Sequence, residues 1–76
     1  MHSWLEEAAE KLGGDIRLSG DEQRALLQLA RVAAHTSGDR RNAPLVTYLV
    51  GLARGRGDER SVEELVAEIA GDVDIA

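Results

Sequence analysis

The sequence predicts an all-α fold, a compact bundle of four short helices at about residues 3–12, 20–35, 43–55 and 61–71, in a single domain spanning 1–76. Three observations predict it. Ser-x-x-Glu occurs at Ser3/Glu6, Ser19/Glu22 and Ser61/Glu64, the spacing at which a serine hydroxyl and a glutamate carboxylate reciprocally satisfy the first free amides of a helix. Apolar residues recur three and four positions apart. Glycines punctuate the gaps, at Gly13-Gly14, Gly38, Gly55 and Gly57, where chains leave helices.

In the first segment Trp4, Leu5, Ala8, Ala9 and Leu12 form an apolar stripe that Gly13-Gly14 stops. In the second, Leu26, Leu29, Ala30 and Ala33 line one face, widened by Leu27 and Ala34, and the helix is expected to end near His35, before Ser37-Gly38-Asp39. The third is expected to start with Asn42 as its cap and Pro44 in its first turn, where a missing N–H costs nothing. From Ala43 to Ala53 only Thr47, Tyr48 and Gly51 relieve its apolar run, which places it at the centre of the bundle or under a partner. Gly51 is expected to let a neighbouring helix approach closely. The fourth carries Val62, Leu65, Val66, Ile69, Ala70 and Val73 at helical spacing, with Gly71 fraying its end and Asp72 to Ala76 as a tail. Strand candidates are poor, because Asp15 to Leu18 is short and Leu45 to Val50 follows the Pro44 helix start.

Composition narrows function mainly by exclusion. Seventy-six residues leave room for one modest core. Cysteine is absent, so disulfides and thiolate metal sites are excluded. Glu6, Glu7 and Glu10 interrupt the N-terminal apolar residues, and no segment reaches membrane-spanning length, so the expectation is a cytoplasmic protein that engages no membrane. The net charge of −5 argues against non-specific nucleic-acid binding. That charge is segregated: residues 1–23 carry −4, residues 24–60 carry +4 and residues 61–76 carry −5.

No chemistry-bearing motif stands out. His35, Ser37 and Asp39 contain the residue types of a triad, but a short loop after a helix end seldom aims three side chains so that a base lies between nucleophile and carboxylate. His2 and His35 share no ligand spacing, and neither the Glu6/Glu10 nor the Glu64/Glu68 pair has the histidine that bundle metal sites use. Gly51, Gly55 and Gly57 lack the Walker spacing and its lysine. A helix-turn-helix would have to expose Leu45, Val46, Leu49, Val50 and Leu52 on its recognition helix, at a cost. A carrier protein of this size would need the Asp-Ser-Leu attachment site, which is missing. No catalytic residue, metal or cofactor is therefore expected.

The basic middle remains. Arg31 and His35 share a helix face by i, i+4 spacing, and Arg40 and Arg41 lie just beyond, beside the N-terminus of the third helix, where amides and the helix dipole attract anions. Arg31, His35, Arg40 and Arg41 are the candidate binding residues, for a protein partner or for a small anion or nucleotide. The plainer alternative is a solvated face whose arginines balance neighbouring carboxylates. A homodimer that buries part of the third helix is a further alternative.

One stretch is more specific. Leu26-Leu27-Gln28-Leu29-Ala30-Arg31, Ala34-His35, Arg41-Asn42-Ala43-Pro44-Leu45 and Tyr48-Leu49-Val50-Gly51, with the opening Ser3-Trp4-Leu5, resemble an uncharacterised family of small helical domains from high-GC Gram-positive bacteria. The family's pattern positions fall on Arg31, His35, Arg41, Ala43, Pro44 and Gly51. Members occur alone or appended to proteins resembling the molybdenum-cofactor guanylyltransferase. The resemblance implies an accessory module near that cofactor's maturation. The charge segregation, and more apolar surface on the third helix than three small neighbours cover, add the expectation of a non-catalytic module that binds a protein partner.

Overall fold

Leu29 has no solvent exposure, and the structure is organised around it. In the computed structural model, which describes residues 4–71, four helices follow one another: α1 (Trp4–Lys11), α2 (Gly20–Ser37), α3 (Asn42–Gly55) and α4 (Val62–Ala70). Among the described residues there is no strand. The all-α class and the four expected segments are present, with bounds shifted by a residue or two at most of the ends.

The start signals work as the spacing requires. At α2 the Ser19 hydroxyl accepts from the Glu22 amide at 3.0 Å, while the Ser19 amide donates to the Glu22 carboxylate at 2.9 Å. Ser61 and Glu64 repeat this at α4, at 3.0 and 2.8 Å. The Ser3 cap lies outside the described residues, as does the tail from Asp72. Two reciprocal bonds at each start satisfy donors that would otherwise lack partners.

The start of α3 differs from expectation. Asn42 is its first helical residue and does not cap it; Arg41 holds the cap position without a side-chain hydrogen bond to the helix. The Asn42 amide side chain donates instead to the Ser37 hydroxyl, 3.0 Å away, tying the end of α2 to the start of α3. Helix α2 runs two residues past His35 because Ser37 donates to the Ala33 carbonyl at 2.7 Å and Gly38, at φ 74°, supplies the left-handed turn that stops it. At the end of α3, Gly57 at φ 96° allows the Asp58 amide to reach back to the Ala53 carbonyl and its own amide to reach Arg54, a Schellman closure.

Packing assigns the helices unequal roles. Helix α2 packs against both α3 and α4, which touch each other less. Leu29 of α2, Val50 of α3, and Val62, Leu65 and Val66 of α4 form the core, with Ala25, Leu26, Val46, Ala53 and Ala70 around it. The centre is thus α2, and the expectation that α3 would occupy it is corrected. Helix α1 packs against none of the other three and buries no residue. With α1 away, α3 has two neighbours on one side only, and just one of its two apolar faces is covered.

Gly51 is also corrected. A methyl group placed on it would meet nothing within 4 Å, so no helix approaches there. No described helix is long and apolar enough to cross a membrane.

Candidate functional site

Helix α3 carries two apolar faces whose centres lie about 120° apart around its axis. Val46, Val50 and Ala53 turn inward to the core. Leu45, Tyr48, Leu49 and Leu52, at i, i+3, i+4 and i+7, are 61%, 65%, 59% and 48% exposed. At about 100° per residue these four centre on the side of α3 away from Val50. Arg41 and Arg56, four residues before and after this stripe, continue the same line and place a guanidinium at each end. Isolated exposed leucines are ordinary on a protein surface, whereas these four form one contiguous apolar stripe along the helix. The objection to a helix-turn-helix, that leucines of α3 would have to be exposed, therefore applies only to Val46 and Val50; Leu45, Leu49 and Leu52 are exposed in any case.

An open groove of about 340 Å³ runs beside the stripe. Leu29, Val32 and Ala33 of α2, Leu45, Val46 and Leu49 of α3, and Ile69 of α4 form its apolar walls, and Thr36, Ser37 and Asn42 its polar end. The Asn42–Ser37 hydrogen bond closes that end. The groove and the stripe share Leu45 and Leu49, so they form one continuous apolar surface.

The four residues expected from charge are exposed, but they are not alike. Arg31 and His35 lie about 200° and 240° around α2 from Leu29, facing away from the core and the groove. Neither their side chains nor that of Arg40 makes a hydrogen bond or ion pair among the described residues. Arg41 is engaged: its Nε and Nη2 donate to the two Asp39 carboxylate oxygens at 3.0 and 2.8 Å, and its amide donates to the same carboxylate at 2.9 Å. These bonds hold the Asp39 carboxyl below the ordinary carboxylate range and raise Arg41.

The N-terminus of α3 offers little to an anion. The Arg41 amide is taken by the Asp39 carboxylate, the Asn42 amide by the Asp39 carbonyl and the Ala43 amide by the Arg40 carbonyl, while Pro44 has no N–H. A helix start attracts anions through amides without internal partners, and here they have partners. The triad geometry is absent as well. Ser37 donates to the Ala33 carbonyl, the Asp39 carboxylate holds Arg41, and His35 bonds to neither.

Sequence reading recognised that α3 carries more apolar surface than its neighbours cover, but it did not single out the four residues. The signal was present in the spacing, because 45, 48, 49 and 52 form a second apolar stripe about 120° around the helix from 46, 50 and 53. Which face turned inward depended on the position of α1.

No curated protein and no solved structure shows significant similarity to this chain. Residues 1–74, almost the whole length, match the family described as "Domain of unknown function (DUF6457)", and the chain belongs to that family.

Proposed function

We propose that this domain is a non-catalytic interaction module whose contact surface is the outer face of α3 and the adjoining groove, with Arg40 and Arg41 as polar contacts in the turn leading into it, while Arg31 and His35, on the far side of α2, lie outside it. The observation that carries this reading is the exposed stripe Leu45, Tyr48, Leu49 and Leu52. Four large apolar side chains left in water on a chain of this size are a standing cost, and covering them is favourable by roughly 25 cal/mol per Å². The groove supports the reading because it is apolar along its length and polar at one end, the pattern that orients a bound helix or peptide.

The resemblance to domains appended to molybdenum-cofactor guanylyltransferase-like proteins supports an accessory role beside such an enzyme, in a bacterial cytoplasm. A small-anion function is less well supported, because the amides at the start of α3 are occupied and Arg41 is paired with Asp39.

The test pairs folding with association. A Leu45→Ser/Leu49→Ser variant keeps its helical circular dichroism and loses binding to the guanylyltransferase-like protein of the same genome in an isothermal titration. Undiminished binding by the folded variant overturns the assignment of the surface.

A further inference from the structure

The identity of what covers the α3 stripe follows from a second uncovered surface on the same chain, and this inference rests on the reading of the stripe as a contact surface. Helix α1 is eight residues long and packs on no other helix. Helices shorter than about 12 residues are marginal in water unless their apolar face is buried against something. Trp4, Leu5 and Leu12 are 79%, 42% and 70% exposed, so the apolar face of α1 is covered by no other helix.

The two surfaces match in length, shape and charge. Leu5 to Leu12 and Leu45 to Leu52 each extend about 10 Å at the helical rise. Both are helical stripes, which suits ridge-into-groove packing. Glu6 and Glu7 flank the α1 stripe, and Arg41, bound to Asp39, and Arg56 stand at the ends of the α3 stripe. Helix α1 carries three acids and one base, while α3 and the residues flanking it, Arg41 and Arg56, carry three arginines and no acid, so the two helices are of opposite sign.

We propose that, when no heterologous partner occupies it, the outer face of α3 takes α1 of a second copy of this chain, and reciprocally, giving a twofold homodimer with which that partner competes. Twofold symmetry makes the contact twice, so both α1 helices and both α3 stripes are covered in one closed assembly. The connection from α1 to Ser19 is long enough, at about 3.3 Å per extended residue, to carry α1 across to a neighbour. Trp4 is the anchor, because a large aromatic contributes most to such a contact.

The full chain in sedimentation equilibrium at tens of micromolar should give twice the 8.2 kDa chain mass, with weaker association at high salt. Two variants break opposite halves of the contact: Trp4→Ser/Leu5→Ser on α1 and Leu45→Ser/Leu49→Ser on α3. All four positions are exposed, so each variant folds, which circular dichroism checks. Each alone should weaken dimerisation by about tenfold or more. An equimolar mixture should associate more tightly than either, because one intact contact is restored.

A wild-type chain that sediments at 8.2 kDa up to millimolar concentration overturns the proposal, whether or not α1 then folds back on its own chain. So does a dimer that neither variant weakens, including one that buries only the α2 face. A monomeric wild type leaves the contact-surface reading standing, since that reading fails only if the α3 variant still binds its heterologous partner.

Discussion

Asp58 holds Arg60 by three hydrogen bonds: its carboxylate accepts from the Arg60 amide and Nε, both at 3.0 Å, and from Nη2 at 2.7 Å. Asp39 and Arg41 make the same clasp at the preceding turn. Both follow a glycine of positive φ, in Gly38-Asp39-Arg40-Arg41 and Gly57-Asp58-Glu59-Arg60. The left-handed glycine ends the helix, and the aspartate folds the next residues by accepting the amide two positions on. At the second turn Arg54 adds bonds to the Asp58 and Arg60 carbonyls, at 2.9 and 3.0 Å. One turn chemistry, used twice, sets both α2–α3 and α3–α4.

The Asp58 clasp predicts a specific acid response. The hydrogen bonds from Arg60 hold the Asp58 carboxyl well below the ordinary value of 3.8. A carboxylate whose folded pKa is depressed contributes stability that is fully present above its unfolded pKa and is lost as pH falls towards the folded value. Wild type should therefore exceed Asp58→Asn in thermal midpoint at pH 7, and the gap should narrow at pH 3. Asp39→Asn should cost less, because Asp39 is the more exposed of the two, with 37% of its side chain accessible against 15% for Asp58. A gap that stays constant with pH would show that the clasp does not depend on the Asp58 charge.

Leu29 and Leu27 test where the core lies. They are two positions apart on α2, one fully buried and the other 69% exposed. Leu29→Ala removes buried methyl groups and leaves a void, which costs about 2–5 kcal/mol. Leu27→Ala, facing water, should fall within about 0.5 kcal/mol of wild type. Urea denaturation of both variants measures the difference. Equal losses would show that the Leu27 face is covered in solution.

How far the sequence determined this depended on whether a feature is local. The Ser19 and Ser61 caps, the Gly38 and Gly57 stops and the Pro44 first turn are local rules of backbone bonding, and they appear where their residues stand. Asn42 did not follow, because Ser37 competes for its side chain once α2 extends past His35. The central role of α2, and the exposure of one α3 face, depend on which helices meet. Two-sided apolar patterning in α3 is compatible with a buried centre or with an unpartnered face, and only the detachment of α1 separates them. Charge identified Arg31, His35, Arg40 and Arg41 as exposed residues, but it could not foresee that Asp39 engages Arg41.

The two serine caps should contribute separately. Ser19→Ala and Ser61→Ala each remove the hydroxyl that accepts a helix amide, at a cost of about 1 kcal/mol. They serve different helices and share no hydrogen-bond partner, so the double variant should lose the sum to within about 0.5 kcal/mol. A larger loss in chemical denaturation would show that α2 and α4 form as one unit, with each cap supporting the other helix.

Two glycines, one within α3 and one in the turn that follows it, should respond to alanine in opposite directions. Gly51 has ordinary helical backbone and open space where a methyl group would stand. Gly51→Ala therefore reduces the freedom of the unfolded chain without a clash, and should stabilise the protein by about 0.5–1 kcal/mol. Gly57 sits at φ 96° in the turn that closes α3, a conformation an L side chain enters only under strain. Gly57→Ala should destabilise by about 1 kcal/mol or more and loosen the Asp58 clasp that follows it. Thermal midpoints in opposite directions from wild type are the expected result. A destabilised Gly51→Ala would mean that something approaches α3 beside its outer face, and the concentration dependence of that loss would show whether it is a second chain.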